Sequence, residues 1–503
     1  MSATAALRLH RFHGGLSLER NKSQASAIQP CPLPEVLHVP LLQHAGNAAM
    51  ACVDVGDRVR CGQRIAIATG LGADVHAPAD GTIIAIVAAI PDVPDHAQAP
   101  HVQLRCASEQ GPPIRQPSLD PWNEDVAVLH ARIRDAGLVG LGGAGFPTAE
   151  KISPRCDVLI LNGAECEPYI ACDDALLRER ANEVVLGGRL LARLIGAQSI
   201  LLAIEDAMPA ALAACAAAIS EIAANDIALV AVPTIYPEGG ERQLIEVLTG
   251  KQVPRGGLPR DIGVLVQNVA TAAAAWRAVS LGEMLTTRIV TVTGRGVARP
   301  GNFEVAFGTP ISHLIAQAGG YTDLAARLLL GGPMMGNALP HDDIPLGKTD
   351  NCVLVLGSED LRETGIEMPC IRCGDCADVC PAKLQPQQLL WHARSGDIDR
   401  SASDGVFDCI ECGCCDLACP SQILLTQHFR ETKTAIRIHQ RRDAIAVAAG
   451  ERHARRAQRL QRESDEKALR DAERAKTITS TDAVTAALER AKARRQQARD
   501  EQP

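Results

Sequence analysis

The stretch that decides the fold is CIRCGDCADVCP, residues 370–381, together with its repeat CIECGCCDLACP, residues 409–420. Both read C-x2-C-x2-C-x3-C-P, so four cysteines and a proline fall at identical spacings twice. Three thiols in one short loop can converge on a small volume, because glycine-containing backbone wraps closely around its contents. The pattern therefore predicts two sites that each gather several thiolates.

This spacing is the one with which bacterial-type ferredoxins bind two [4Fe–4S] clusters. In that arrangement the fourth cysteine of each run, just before the proline, binds the cluster of the other run. The first cluster is then expected on Cys370, Cys373, Cys376 and Cys419. The second cluster is expected on Cys409, Cys412, Cys415 and Cys380. Cys414 stands beside Cys415 and leaves the register open by one position, and the repeat favours Cys415.

Disulfides, a zinc site and inert buried thiols account for the two cysteine runs less well. Disulfides need an oxidising compartment, and nothing in the sequence points to export. Zinc suits C-x2-C pairs, but the two longer runs match a tetrahedral four-thiolate site poorly. Inert buried thiols would not recur in register. Two neighbouring iron–sulfur clusters would form a path for single electrons.

Composition indicates a large globular protein of several domains. The chain has 503 residues, 46% of them hydrophobic and 22% charged, and single cores stop growing near ~250–300 residues. Aromatic residues make up only 2%, so aliphatic side chains must fill the cores. The net charge of −8 argues against nucleic acid as a partner of the whole chain.

The sequence predicts no membrane-spanning helix and no signal peptide. No uncharged apolar run approaches the ~20 residues that a spanning helix needs. The N-terminal stretch, residues 1–20, has charges and histidines but no continuous apolar core. We expect a cytosolic protein, or one docked on the cytosolic face of a membrane.

Residues 30–106 predict a small β module. Short strands are broken by Gly-Asp and Asp-Gly turns, for example at residues 56–57 and 80–81. The pattern resembles the barrel-sandwich hybrid of biotinyl and lipoyl domains. Those domains carry a modified lysine at a hairpin tip, and no lysine lies between Gly62 and Gly81. We therefore expect a structural module without a prosthetic group.

A glycine-rich loop at residues 137–151 is followed by a buried strand, residues 156–161, that ends in polar residues. Closely spaced glycines expose backbone N–H groups to a ligand, and Lys151 adds a cation suited to phosphate. Alone, such a loop is equally compatible with a flexible turn. The polar residues favour a site, because open α/β sheets bind ligands at the carboxyl ends of strands.

The loop reads G-x-G-G-A-G-F-P-T-x-x-K and the strand end reads N-x-x-E-x-E-P. Together they resemble the flavin-binding signature of the NADH-oxidising flavoprotein subunit of respiratory complex I. Combined with a two-cluster run, they resemble more closely the RnfC family of Rnf electron-transport complexes, over about residues 8–430. Leu141 and Ala164 differ from the complex I pattern, which usually has an arginine and an acidic residue there.

That resemblance implies a set of flavin and nucleotide contacts. FMN is expected on the glycine-rich loop, through Gly140, Gly142, Gly143, Gly145 and Lys151. Asn162 and Glu165 are expected at the flavin edge, and Glu167 beside the nicotinamide nucleotide. Further along the chain the resemblance places Gly239, Glu241 and Asn268 near the flavin. Without it, these polar residues would be interpreted as helix caps or surface groups.

The predicted fold class is a multidomain α/β protein with five parts. These are a barrel-sandwich-like module (1–110), a Rossmann-like α/β domain for FMN and NAD(H) (120–285), a β-grasp module of SLBB type (286–350), a ferredoxin domain for two [4Fe–4S] clusters (360–430) and a charged helical or disordered tail (431–503). The tail is expected to be a solvated spacer or a basic helical arm held against a membrane complex.

The resemblance implies an oxidoreductase component of an ion-translocating membrane complex. It would pass electrons between NAD(H), FMN and the clusters at the cytoplasmic face of the bacterial inner membrane. Its expected partners are integral membrane and flavoprotein subunits, NADH, and ferredoxin or another one-electron carrier. Hydride transfer needs no general base, so no acid–base residue is proposed. The alternatives are a soluble flavin/iron–sulfur reductase resembling cobalamin reductases, a flavin-free electron relay and a zinc-stabilised scaffold.

Overall fold

The computed structural model describes residues 8–22, 27–88, 100–153, 155–361, 365–479 and 481–500. The chain divides into two units, Met1–Arg430 and Glu431–Pro503. The N-terminal stretch, residues 1–20, is predicted to contain no signal peptide. Its residues 1–7 lie outside the described residues. So do the predicted domain bounds at residues 1 and 503, and residues 362–364 of the predicted ferredoxin domain.

The N-terminal module consists of two small sheets around an aliphatic core. The first strand of the chain, β1 (Ile28–Pro30), joins a later sheet. The strands of the module's own sheets are β2 (Val36–Pro40), β3 (Met50–Ala51), β4 (Arg58–Val59), β5 (Arg64–Ile67), β6 (Val75–His76), β7 (Gly81–Val87) and β8 (His101–Cys106). One sheet has the order β2-β8-β7-β4 and the other β3-β5-β6. Leu37, Ile65, Ile83 and Leu104 are fully buried between them. The predicted barrel-sandwich architecture is confirmed.

The second domain is a parallel sheet covered by helices on both faces. Its strands are β9 (Val158–Gly163), β10 (Ser199–Glu205), β11 (Ile227–Val232) and β12 (Val264–Asn268), in the order β11-β10-β9-β12. Its helices are α1 (Val126–Asp135), α2 (Thr148–Lys151), α3 (Cys172–Glu179), α4 (Ala181–Ile195), α5 (Pro209–Ile222), α6 (Glu241–Thr249) and α7 (Val269–Ser280). Helix α4 packs tightly on α7, because a Cβ on Gly187 would lie 1.9 Å from the carbonyl of Ala272. The predicted alternation of strand and helix is confirmed.

The third module is a mixed sheet closed by one helix. It comprises β13 (Thr287–Thr293), β14 (Gly301–Ala306), α8 (Ile311–Gln317), β15 (Ala325–Leu330), β16 (Asn337–Ala338) and β17 (Cys352–Gly357). The strand order is β1-β14-β13-β17-β15-β16. The sheet thus takes its edge strand β1 from within the predicted N-terminal module and its central strand β17 from beyond the predicted end at residue 350. Long-range pairing of this kind leaves no local sequence signal.

Lys348 joins three parts of the chain. Its side chain is fully buried and donates hydrogen bonds to the carbonyls of Asp74, at 2.9 Å, and Gly137, at 2.8 Å. Burial lowers the pKa of Lys348 to about 7. The lysine therefore connects the β module to the loop that enters the glycine-rich segment.

The cysteine runs lie among short helices, and the tail is helical. The remaining helices are α9 (Asp375–Asp378), α10 (Pro386–Ser395), α11 (Ile398–Ser403), α12 (Cys414–Ala418), α13 (Leu425–Thr479) and α14 (Thr481–Asp500). The described residues of the second unit are helical, and almost all of their side chains are exposed. Within the described residues, none of the helices combines the length and the apolar character needed to cross a membrane.

Candidate cofactor sites

The glycine-rich loop folds into a closed turn between α1 and α2. The Gly140 N–H donates to the carbonyl of Phe146 at 2.9 Å, and this hydrogen bond joins the two ends of the loop. A Cβ on Gly142 would lie 3.1 Å from Cβ of Asn268, so a larger residue would crowd that side chain. Gly143 has φ +107° and open space around the position of a Cβ. At Gly143 the loop thus presents bare backbone to open space, as a cradle for a flavin or its phosphate requires, whereas a Cβ on Gly145 would lie 2.7 Å from Cγ2 of Thr349.

Two asparagines lie side by side at the carboxyl edge of the sheet. Asn162, the last residue but one of β9, lies beside Asn268 of β12 as its register partner. Asn162 donates to the carbonyl of Gly239 at 2.8 Å and accepts from the N–H of Ala164 at 3.0 Å. Asn268 accepts from the N–H of Ala270 at 2.8 Å, which caps α7. These bonds gather Gly142, Asn162, Gly239 and Asn268 at one edge.

Lys151 and Glu241 face each other across the mouth of this edge. Nζ of Lys151, at the end of α2, lies 2.7 Å from Oε1 of Glu241, at the start of α6. Both side chains are partly exposed, so solvent or a ligand can reach them. A phosphate bound by Lys151 would replace the Glu241 carboxylate as the ion-pair partner of this lysine.

Glu165, which the resemblance places at the flavin edge, is buried beside the start of α3. Its carboxylate accepts from the N–H groups of Asp173, at 3.0 Å, and Asp174, at 3.3 Å, at the start of α3. Nζ of Lys22 lies 3.7 Å from its other side. Burial and the charge of Glu165 raise the pKa of Asp173, whose carboxylate accepts from Asn268 at 2.6 Å. Glu165 thus holds the helix beside the sheet edge, a role the sequence signature did not indicate.

Glu167 binds a turn of the β-grasp module. Its Oε1 accepts from the N–H groups of Met334, at 2.9 Å, and Met335, at 2.8 Å. Burial raises the pKa of Glu167. The turn at residues 331–336 therefore stands against the predicted nucleotide side of the site.

Sequence reasoning missed two buried carboxylates, Glu205 and Glu238. Each is 1% exposed, and neither carboxylate has a hydrogen-bond partner among the described residues. Burial raises the pKa of Glu205 to about 7 and that of Glu238 to about 8. The available signal was positional, since Glu205 is the last residue of β10, at the same carboxyl edge of the sheet as Asn162 of the neighbouring β9.

The eight predicted cluster ligands line two separate cavities. One cavity is lined by Cys370, Cys373, Cys376 and Cys419. The other is lined by Cys380, Cys409, Cys412 and Cys415, and also by Cys414. Each cavity therefore has the three predicted ligands of one run and the last cysteine of the other, in the crossed arrangement that the spacing predicts, and the second cavity has Cys414 as a fifth thiol.

The two runs also repeat one backbone conformation. From Cys370 to Cys409 the shift is 39 residues, and the same shift relates the left-handed residues Arg372 and Glu411, and Lys383 and Gln422. Backbone N–H groups point at sulfur in each run: Leu384 donates to Cys380 and Glu411 to Cys409, both at 3.4 Å. Such bonds stabilise thiolates and tune the potential of a bound cluster. Donor set and backbone therefore fit two [4Fe–4S] clusters.

A single metal ion fits these cysteines less well. Throughout the part of the chain that the structure describes, no three His, Cys, Asp or Glu side chains are grouped closely enough to hold one ion. The thiols instead surround each cavity, as ligands of a four-iron core must.

The second cysteine cavity lies against the α/β domain. The Tyr236 hydroxyl donates to the carbonyl of Cys412 at 2.7 Å, and Tyr236, Cys412 and Cys414 share a small apolar core. Two ion pairs support this junction: Lys383 with Glu246, and Arg255 with Asp408, both at 2.6 Å. The loop that carries Gly239 therefore touches the cavity of Cys380, Cys409, Cys412 and Cys415.

Four family models match consecutive stretches of the chain. They are the RnfC barrel sandwich hybrid domain (10–106), the Nuo51 FMN-binding domain (133–277), the SLBB domain (289–338) and a 4Fe-4S dicluster domain (365–424). Their order confirms the predicted fold class, an FMN-binding domain and a dicluster iron–sulfur domain. The exact bounds of the domains stay predictions.

Curated relatives match nearly the whole chain. The C subunit of the ion-translocating oxidoreductase complex of Pseudomonas aeruginosa is 44% identical over 97% of this chain and 66% of its own length. Its namesakes from Erwinia tasmaniensis and Citrobacter koseri are 42% identical over 97% of this chain, and 61% and 70% of their lengths. The chain thus spans about two thirds of the length of these relatives.

Two solved structures with partial likeness are those of an NAD+-reducing [NiFe]-hydrogenase. In its H2-reduced state the TM-score is 0.44 at 24% identity, covering 62% of this chain and 63% of the other. In its air-oxidised state the TM-score is 0.44 at 23% identity, covering 61% and 60%.

Proposed function

Because the chain belongs to the RnfC family of ion-translocating oxidoreductase complexes, we propose that it passes electrons between NAD(H), FMN and two [4Fe–4S] clusters. The observation that carries the proposal is the crossed set of cysteines around two cavities, one of them against Tyr236. A flavin site and a one-electron path then share a single loop, residues 236–241.

Flavin supplies the conversion between two-electron hydride transfer and one-electron transfer, which nicotinamide and iron–sulfur clusters cannot make directly. The protein's residues bind and orient it. The glycine-rich loop, with Gly140, Gly142, Gly143 and Gly145, would hold the flavin, and Lys151 offers a cation. Asn162, Gly239, Glu241 and Asn268 form the facing edge. Glu165 positions α3, and Glu167 with its turn bounds the side proposed for the nicotinamide.

The contacts of the two runs suggest an order for the electrons. The cluster proposed on Cys409, Cys412, Cys415 and Cys380 lies next to the flavin side, through Tyr236. The cluster proposed on Cys370, Cys373, Cys376 and Cys419 is more open, and Cys373 itself is exposed. Electrons from the flavin would therefore reach the Cys409 cluster first and leave through the Cys370 cluster.

The proposal includes a place in the cell and partners. The names of the relatives describe one component of an ion-translocating complex. We place this chain at the cytoplasmic face of the inner membrane, beside integral membrane and flavoprotein subunits. It would exchange electrons with NADH on one side and a ferredoxin or other one-electron carrier on the other.

The decisive test is to measure the iron and FMN content of anaerobically reconstituted protein and then to add NADH and record the flavin absorbance. We expect about eight iron atoms per chain, as two four-iron clusters require, with FMN that is bleached by NADH. Full iron without flavin or an NADH response would contradict the proposal and leave a one-electron relay.

Two variants separate the sites. Lys151→Met should lower FMN content several-fold, because it removes the cation at the mouth, and leave about eight iron atoms. Cys412→Ser should lower iron to about four atoms per chain and retain FMN. If both variants lost both cofactors equally, the two sites would not be independent.

A further inference from the structure

The repeat of 39 residues provides an internal comparison of two surfaces. Cys373 corresponds to Cys412, and Ile371 to Ile410. Cys412 is buried and Ile410 packs with Tyr236, on the side where the α/β domain covers the second run. The equivalent positions of the first run have no such cover, since Cys373 is exposed and Ile371 is 67% exposed. We call the run at residues 409–420 the covered copy of the motif and the run at residues 370–381 the open copy.

The open copy carries an exposed apolar surface. Besides Ile371, Ile366 is 87% exposed and Met368 is 57% exposed. Three exposed large apolar side chains in six residues, one of which (Ile371) lines the cavity of a proposed cluster, are the kind of surface that marks a protein interaction site. Its small extent suits a transient redox contact better than a permanent interface.

The charge at the centre of this surface differs between the copies. In the covered copy Glu411 pairs with Arg430 at 2.9 Å. In the open copy the corresponding residues are Arg372 and Trp391, and the Arg372 guanidinium lies over the Trp391 ring at 5.2 Å. Among the described residues no carboxylate forms an ion pair with Arg372. Its charge is therefore available to an acidic partner.

We propose that the open face, formed by Ile366, Met368, Ile371 and Arg372, docks a second iron–sulfur protein domain with an acidic rim. The inference rests on the proposed function and specifies where the chain exchanges single electrons with its partner, in either direction. The covered copy of the motif receives the α/β domain on this side, and the open copy offers the same side to another redox protein. The contact is apolar over the cluster and ionic at Arg372.

The test measures electron transfer from a small acidic two-cluster ferredoxin, reduced with dithionite, to the full-length reconstituted chain. Met368→Glu and Arg372→Glu should each slow the second-order rate at least 10-fold at low salt. Arg372→Glu should also reverse the dependence of the rate on salt, so that added salt speeds the transfer, because a repulsion between like charges replaces the attraction that salt screens. This substitution copies Glu411, which has the same left-handed backbone conformation, so the loop can accommodate it.

Val55→Glu is the matched control, since Val55 is a 62% exposed residue of the N-terminal module. It should leave the rate unchanged. Calorimetric binding of the oxidised proteins should weaken in Met368→Glu and Arg372→Glu and not in Val55→Glu. Undiminished transfer and binding in both open-face variants would overturn the proposal. Because the ferredoxin supplies electrons without NADH, the result can be read even if NADH fails to reduce the flavin.

Discussion

At the scale of single residues, Glu238 makes stability depend on pH. Its buried carboxyl faces Glu205 and Asp206, and burial raises its pKa from 4.5 to about 8. Between these values the folded chain holds a proton that the unfolded chain has lost, so stability falls as pH rises from 4.5 to 8. Glu238→Gln cannot titrate. At pH 9 the variant should exceed the native chain by about 2 kcal/mol in free energy of unfolding, and this gain should shrink as the pH falls.

Denaturant unfolding of the apoprotein at several pH values measures this difference. Glu205, which faces Arg20, Lys22, Glu165 and Asp206, titrates in the same range and remains in both proteins. Glu150→Gln is the control, because Glu150 is a half-exposed surface partner of Arg134. Its curve should run parallel to that of the native chain. A parallel curve for Glu238→Gln would show that Glu238 does not hold the proton.

At the scale of elements, the start of α3 depends on Glu165. Replacing this residue by alanine removes the acceptor of two backbone N–H groups and leaves the largely buried Lys22 ammonium without its carboxylate. We expect Glu165→Ala to lower the free energy of unfolding by about 2 kcal/mol. FMN affinity should fall with it, because α3 supports Asn268 through Asp173.

Glu150→Ala removes an exposed ion pair of 3.3 Å and should change stability by no more than about 0.5 kcal/mol. Comparable losses in the two alanine variants would mean that Glu165 acts as an ordinary surface residue. Urea unfolding and flavin fluorescence titration give the two quantities.

The sequence predicts these elements better than their contacts. The alternation of apolar runs and amphipathic helices indicates the parallel sheet, and the cysteine spacing indicates which thiols share a cavity. It does not reveal that Glu165 caps α3, because a hydrogen-bond partner is set by tertiary packing. Nor does it reveal which cluster lies near the flavin, since the runs have one spacing and tertiary contacts such as that of Tyr236 with Cys412 distinguish them.

At the scale of the whole molecule, removal of iron should affect the chain unevenly. The eight thiols hold residues 365–430 together around the two cavities, whereas the α/β domain has its own aliphatic cores. Oxidation and chelation of the clusters should make residues 365–430 sensitive to protease, because metal binding stabilises such segments. Residues 100–361 should stay resistant and keep FMN.

Mass spectrometry of the fragments locates the cuts, and flavin absorbance reports FMN. Protein with intact clusters, digested in parallel, should lack the cuts in residues 365–430. Uniform digestion of the whole chain after chelation would contradict the independence of the two parts.

The shift of 39 residues between the cysteine runs has an evolutionary consequence. Under crossed ligation, one run supplies three ligands to one cluster and a single ligand to the other. A lone copy would complete neither cluster, so an ancestral peptide with one run would have needed a second, identical peptide. We infer that duplication within a gene replaced that pairing and left the two halves free to diverge. Glu411 and Arg372 fit this inference, since they occupy equivalent positions of the two runs with opposite charges.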